Sequence, residues 1–284
     1  MRRLVVGCGY LGSRVARVWR DSGDEVYATT RGGQREALSS AGFKPLILDV
    51  SAAPVSRVLP EVDTVLFAVG RSRYSDATMF DIHVTGLCAV LDALPVSTSR
   101  VIYVSTTGVY GQDRGEWVDE ASVTAPLRNG GKACLAAEHL LLGHESAPDA
   151  VVLRMAGLYG VGRLPRVDDV LQGKSIIGSP DAYLNLIQID DAALAVVAAG
   201  DPALSGGQTY VVSDSRPQTR GEYIHAVADR LGCAVPSFTG GSGRGKRVRS
   251  ARIVRDLDLD LQYPSFRDGL DALLFDANGH VAGR

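Results

Sequence analysis

Near its amino terminus the chain reads Leu4-Val5-Val6-Gly7-Cys8-Gly9-Tyr10-Leu11-Gly12, an apolar run, a G-x-G-x-x-G turn and the opening of a helical pattern. The chemistry that needs such a turn is the holding of a pyrophosphate. Gly7 permits the tight turn, Gly9 lets the backbone approach the phosphates, and Gly12 lets the helix pack closely on the strand. The phosphates would meet the amides of Tyr10 and Leu11, where the helix dipole favours negative charge. Glycine turns also arise for steric reasons alone. Here a strand precedes the turn, a helix follows it and a second strand arrives at the right distance, so the context predicts a bound dinucleotide.

The end of that second strand bears on which dinucleotide. A site for an unphosphorylated ribose usually places Asp or Glu there, to accept from the 2′-hydroxyl. This chain has Ala28-Thr29-Thr30-Arg31 instead. Thr30 and Arg31 together supply the hydroxyl and cation that a 2′-phosphate needs. NADP is therefore expected in preference to NAD, the alternative being that Arg31 faces solvent.

The elements that must position these residues follow a regular rhythm. Leu4–Val6, Glu25–Thr29, Pro45–Leu48, Thr64–Ala68, Arg100–Val104 and Val151–Leu153 are short runs dense in Val, Ile and Leu, as strands of a parallel sheet covered on both faces require. Between them Leu11–Ser22, Gln34–Ala41, Met79–Leu94 and Lys132–Leu142 have helical character, the third through Ile82, Leu87, Val90, Leu91 and Leu94. Strands alternating with helices imply right-handed crossovers and an α/β fold with a doubly wound parallel sheet. Beyond Arg154 the rhythm loosens. Helices are expected over Asp190–Ala199, Thr219–Leu231 and Phe266–Phe275, with one strand at Gln208–Val212. The expected division is a dinucleotide-binding domain over 1–155 and a smaller mixed α/β C-terminal lobe for the substrate over 156–284, some segments of which return to the first domain. The stretch from Gly240 to Arg247 reads as a flexible loop with a solvated basic surface, and as a lid over an anionic substrate in a second reading.

Composition narrows the class. In 284 residues, 45% hydrophobic and 22% charged, there is enough apolar material for a real core. A net charge of −2 gives no reason to expect nucleic acid or an anionic membrane as partner. Charges interrupt every apolar stretch before it reaches membrane-spanning length. Met1-Arg2-Arg3 leads directly into a strand, so no secretory signal is expected, and the location expected is the cytoplasm. Cys8, Cys88, Cys134 and Cys233 are scattered, without metal-ligand or disulfide rhythm, and read as buried or idle thiols. No His/Cys/Asp cluster has metal spacing, and no metal is expected.

Taken in order, the motifs resemble the short-chain dehydrogenase/reductase superfamily, in its extended, epimerase/dehydratase-like branch with a Rossmann fold. Leu48-Asp49-Val50 is similar to the strand end whose acidic residue contacts adenine, and Phe67-Ala68-Val69-Gly70 to the strand end that lines the cofactor. Ser105-Thr106-Thr107-Gly108-Val109-Tyr110-Gly111 matches the Ser/Thr-bearing strand end followed by Val-Tyr-Gly. Leu153-Arg154, Leu158 to Arg163, Asn185 to Asp191 and Gln208 to Asp214 resemble the later landmarks, with Gln188 where His is usual. The resemblance implies an NAD(P)-binding oxidoreductase or epimerase/dehydratase acting on a small sugar-like or carbonyl substrate. It also allows a homodimer paired through two helices.

Family chemistry uses a Ser/Thr, a Tyr and a Lys four residues after it. The ammonium lowers the phenol's pKa so that it can move the proton of a carbinol oxygen. Carried over, Thr106 matches the Ser/Thr, with Thr107 beside it, and Lys132 is the candidate Lys holding the nicotinamide ribose. Four residues before Lys132 stands Arg128, and an alignment anchored on Leu135-Ala136-Ala137-Glu138 would instead put Gly130 and Cys134 in the two places. From Gln112 to Leu158 there is no tyrosine at all. Losing a general acid/base costs roughly 10²–10⁴ in rate, on the order of 3–5 kcal/mol of barrier. Three readings stay open. Another group takes the role, Tyr110 before His139, although Tyr110 also reads as a packing residue of its turn. The substrate chemistry needs no strong acid or base. Or the protein is a non-catalytic NADP(H) sensor or scaffold. Elsewhere Trp117-Val118-Asp119-Glu120, His83, Asp190 and Asp191 read as structural or solvated, and Arg163 and Arg166 as weak candidates for an anionic substrate group.

Overall fold

A computed structural model describes residues 1–52, 59–71, 75–147, 149–214 and 216–274. Strands β1 (Arg2–Val6), β2 (Glu25–Thr30), β3 (Lys44–Ile47), β4 (Thr64–Phe67) and β5 (Arg100–Thr106) join Asp149–Met155 and Gln208–Val212 in one seven-stranded parallel sheet. Its order is Gln208–Val212, Asp149–Met155, β5, β4, β1, β2, β3. β1 pairs with both β2 and β4, so the strand order reverses beside β1, and in such sheets ligands gather at the carboxyl ends around that point. Gly7 to Gly12 leave the sheet there. β3 is an edge strand, which is why Pro45 is tolerated within it.

Helix α1 (Gly12–Asp21) buries Gly12, Val15, Ala16 and Trp19, the i, i+3, i+4, i+7 stripe that a helix lays on a sheet. α2 (Arg35–Ser40) follows β2. The helix expected from Met79 contains a π-helical turn, Asp81–Thr85, before α3 (Gly86–Asp92). α4 (Asn129–Leu142) turns Ala133, Cys134, Ala137, Glu138 and Leu141 inward. The helix expected over Phe266–Phe275 runs Phe266–Leu274, and Phe275 lies outside the described residues.

Two compact units divide the chain. The first holds Met1–Val109, Pro126–Arg154 and Ala193–Tyr210. Its core packs Leu4, Val65, Phe67, Val101, Tyr103 and Val152 of the strands with Leu87, Leu91, Ala137 and Leu141 of the helices. The second holds Tyr110–Ala125, Met155–Ala192 and the described part of Val211–Arg284. Its separate core includes Tyr159, Leu186, Tyr223, Val227, Phe266 and Leu270.

One expectation needs correcting. Gly240 to Arg247 is not simply a flexible, solvated loop, because Gly245–Val248 is a strand paired in parallel with Arg114–Val118. The left-handed backbone at Gly240, Gly241 and Gly245 makes the turns that lead into it. Lys246 Nζ donates to Tyr110 O at 3.0 Å and Arg247 Nε to Gly115 O at 2.8 Å. Two of its basic side chains therefore tie strands together instead of reaching for a ligand.

Two buried polar groupings stiffen the first unit. Glu138 accepts from Arg154 Nη2 at 2.7 Å and from Arg154 Nε, and also from the Ser105 hydroxyl. Tyr103 Oη lies 2.8 Å from His83 Nδ1. Burial holds the His83 pKa down, from 6.5 to about 4. Between those values the unfolded chain binds a proton that the folded imidazole refuses, so stability is full above 6.5 and declines as pH falls toward 4. The loss amounts to about 3 kcal/mol, and His83→Gln removes that slope when urea unfolding is followed against pH. Glu138→Ala removes the carboxylate that the buried Arg154 guanidinium pairs with and costs about 3–5 kcal/mol in the same measurement.

Candidate functional site

The three glycines of the turn differ in what they exclude. A Cβ at Gly7 would lie 2.8 Å from the backbone of Ala68 and Val69, and its φ of 95° is one that side chains rarely adopt. A Cβ at Gly12 would overlap Gly7 O and press on Val5, so helix and strand meet there in backbone contact. At Gly9 a Cβ would meet nothing within 4 Å. Packing therefore explains Gly7 and Gly12 but leaves Gly9 without an internal reason. The open backbone at Gly9 is the cradle a pyrophosphate would fill, next to the first turn of α1, where no acidic residue opposes an anion. Gly7 N is fixed by donating to Thr29 Oγ1 at 3.0 Å, and Ala68 N by donating to Val6 O at 2.8 Å. Tyr10 is held by Arg14, whose guanidinium stacks over the ring at 4.4 Å.

At the end of β2, Thr30 is buried and its hydroxyl accepts from Gly32 N at 3.2 Å, which shapes the following turn. Arg31 is exposed. Asp49 is held below the usual carboxylate range by hydrogen bonding from the Ser51 hydroxyl, at 2.6 Å, and further by the Ser51 amide and the charge of Arg31. Arg31 and Asp49 are thus electrostatic neighbours past the ends of β2 and β3. Val50 is buried, and a Cβ at Gly86 would come 2.9 Å from its carbonyl.

At the end of β5, Thr106 is half-buried and accepts from Gly108 N at 3.0 Å, while Thr107 is buried at the start of a 3-10 turn. A Cβ at Gly131 would overlap Gly108 O, so the first turn of α4 is in backbone contact with this strand end. Lys132 follows on the exposed side, and among the described residues its ammonium meets no partner. The inward face carries Cys134, which the Leu135–Glu138 anchor puts in the place of the Lys, and Glu138. The Ser105–Glu138–Arg154 network escaped sequence reasoning. Its members stood inside the quoted motifs, but nothing in their spacing says that they touch.

Tyr110 is buried and donates from its hydroxyl to Asp119 O at 2.8 Å. Of the two roles left open for it, this geometry supports packing: a phenol committed to a carbonyl is poorly placed to exchange a substrate proton. His139 is exposed on the outer side of α4. The acidic pair after Trp117 orders its surroundings, Asp119 accepting from Ala121 N and Ser122 Oγ, and Glu120 from Val211 N at 2.8 Å. Gln188 caps the helix Ile189–Ala199 by accepting from the amides of Asp190 and Asp191. Asp191, fully buried, accepts from Gln262 N and Tyr263 N, both at 2.9 Å. Arg166 pairs with Asp169 at 2.8 Å, and Arg163 is exposed.

The contrast among the glycines is measurable. Gly12→Ala is expected to cost about 1–3 kcal/mol of stability through overpacking. Gly9→Ala should leave stability unchanged or raise it by about 0.4–1 kcal/mol, since the residue added meets no atom and limits the unfolded chain. Urea unfolding of both variants checks this, and an equal loss at the two positions would show that Gly9 too is an internal packing site.

Comparison with known proteins bears on the family and the fold. The family model "NAD dependent epimerase/dehydratase family" matches residues 3–213. Protein YeeZ of Escherichia coli (strain K12) is 29% identical over 276 residues, covering 92% of this chain and 95% of that one. A solved structure from Methylobacillus flagellatus, described at the level of an NAD-dependent epimerase/dehydratase, is 30% identical with a TM-score of 0.78, covering 96% of this chain and 97% of that one. The UDP-glucuronic acid 4-epimerase of Bacillus cereus in complex with NAD shares the fold at a TM-score of 0.80 and 20% identity, covering 96% and 97%. The chain belongs to the NAD dependent epimerase/dehydratase family, within the extended short-chain dehydrogenase branch that its motifs resemble.

Proposed function

We propose that the protein holds a nicotinamide dinucleotide along Gly7–Gly12, prefers the 2′-phosphorylated form, and acts as an oxidoreductase or epimerase/dehydratase on a sugar-like or carbonyl substrate. The observation that carries this reading is Gly9, the one glycine of the turn whose missing side chain no protein atom requires. Bound there, the dinucleotide would supply a hydride acceptor or donor. The chain's own residues have distinct tasks. The amides of Tyr10 and Leu11 receive the pyrophosphate charge, Asp49 and Val50 face the adenine side, and Ala68 and Val69 line the strand end. Exposed Arg31, with no carboxylate at the end of β2, meets the 2′-phosphate, helped by Thr30. Thr106 fixes the substrate oxygen. Lys132, one residue past the Gly131–Gly108 contact, holds the ribose. The sugar-like substrate class is drawn from the fold neighbours solved with UDP-glucose or UDP-glucuronic acid and NAD.

The missing tyrosine favours chemistry in which the substrate itself eases proton movement, since Tyr110 is committed to Asp119 O. Purified protein is expected to bind NADPH in calorimetry and to turn over with members of a carbonyl and sugar-nucleotide panel. Thr106→Ala abolishes that turnover. Saturable NADPH binding with no turnover on any member would leave a non-catalytic cofactor-binding protein instead. Gly9→Val should bind coenzyme at least about tenfold more weakly while remaining folded, and unimpaired binding by this variant would sink the proposed phosphate site. Arg31→Asp should weaken NADPH far more than NADH, equal losses removing the stated preference. Lys132→Ala should weaken coenzyme affinity, and unchanged affinity would assign its position to the register that puts Cys134 there.

A further inference from the structure

The first unit carries a second grouping of chemistry-bearing side chains, away from the glycine turn. Cys88 and Asp92 lie four residues apart on α3, so they share one face of the helix a turn apart. His144 stands just past the end of α4, in a turn fixed by His144 N donating to Leu141 O at 3.2 Å and Ala147 N donating to His144 O at 3.0 Å. One donor atom from each, a sulfur, a carboxylate oxygen and an imidazole nitrogen, all lie within 4.8 Å of one another. Cys88 Sγ is 3.6 Å from Asp92 Oδ2, and His144 Nε2 is 3.3 Å from Asp92 Oδ1. Around a tetrahedral zinc with ordinary bond lengths, the sulfur–oxygen edge is about 3.6 Å and the nitrogen–oxygen edge about 3.4 Å. The two contacts use opposite oxygens of the Asp92 carboxylate, so a turn of that exposed carboxylate would present one oxygen to an ion held between the sulfur and the imidazole.

We infer that Cys88, Asp92 and His144 form a binding site for a divalent transition metal of the zinc type, joining the end of α3 to the turn after α4. The donor set decides the class of ion. Thiolate with imidazole suits zinc, cobalt or nickel, whereas magnesium and calcium call for oxygen ligands. Three protein donors leave the fourth position to water, and the exposure of Asp92 gives water access to it. Coordination takes the sulfur as thiolate, its proton passing to solvent. The imidazole must also rearrange. Its Nδ1 accepts from Ser146 N at 3.3 Å, so the ring proton sits on Nε2 facing Asp92. Binding through Nε2 moves that proton to Nδ1 and gives up the Ser146 contact, which makes this a site of moderate affinity. Sequence reasoning had no route to it, because 52 residues separate Asp92 from His144.

The full-length chain, reduced and stripped with a chelator, is titrated with cobalt(II) and then with zinc. One cobalt per chain is expected, with thiolate-to-cobalt charge-transfer absorption in the near ultraviolet that zinc abolishes. Zinc should raise the thermal midpoint of the wild type. Cys88→Ser and His144→Ala should each weaken zinc by about 100-fold in competition with a chromogenic indicator and cancel the thermal shift. Cys233→Ser, a change at another free thiol, should do neither. Both test variants alter half-buried positions, and circular dichroism reports whether they remain folded. No charge-transfer band, or zinc bound equally by wild type, Cys88→Ser and His144→Ala, overturns the inference.

Discussion

The contact between Glu138 and Arg154 sets the geometry on which the first unit's site depends. Both side chains are almost wholly removed from water, and the carboxylate also accepts from Ser105 on β5. Removing two charges from water is costly, and only close, multiple hydrogen bonding offsets it. The three partners belong to β5, α4 and the strand Asp149–Met155, so they can be satisfied together only when α4 lies in one position along the sheet. That position is confirmed from the other end of the helix, where Gly131 has no room for a Cβ beside Gly108 O. The strand end bearing Thr106 and the helix turn bearing Lys132 are neighbours because of these two constraints.

Such a device selects geometry more than it adds stability. An apolar trio of similar volume would pack as well, but it would tolerate a slide of α4 along β5, whereas a buried ion pair does not. The glycine turn works similarly at the end of β1. Gly12 admits α1 to backbone contact with the turn, Gly7 admits the turn to backbone contact with the end of β4, and what remains open is the backbone at Gly9. Rigidity on both sides presents a fixed frame, and a frame of that kind is what orientation of a bound coenzyme against a substrate requires.

The second unit shows the same economy of polar groups. Asp119, Glu120, Gln188 and Asp191 were all residues that chemistry could have used, and each instead satisfies backbone amides: in a turn, in the strand Gln208–Val212, at a helix start and in the loop at Gln262 and Tyr263. Burial of an amide without such a partner is expensive, so these acceptors are taken up by backbone groups, near in sequence for Asp119 and Gln188 and distant for Glu120 and Asp191. The Tyr110 hydroxyl is committed in the opposite sense, donating to the carbonyl of Asp119.

Much of the sheet was legible in the chain itself. Short Val- and Ile-rich runs separated by helical stripes dictate a parallel sheet covered on both faces, and the strand Gln208–Val212 lies where its pattern predicts. The turn at Gly7–Gly12 was legible too, because its meaning lies in consecutive residues whose conformation is local. Contacts between distant segments were not. That Arg154 would meet Glu138, that Lys246 and Arg247 would anchor a strand instead of lining a loop, and that Cys88 and Asp92 would stand beside His144 all depend on how elements pack. Periodicity tells which face of an element is buried, but it does not tell which partner the face will find. Local conformation was therefore written in the residues, while the pairing of polar side chains was decided only when the elements were brought together.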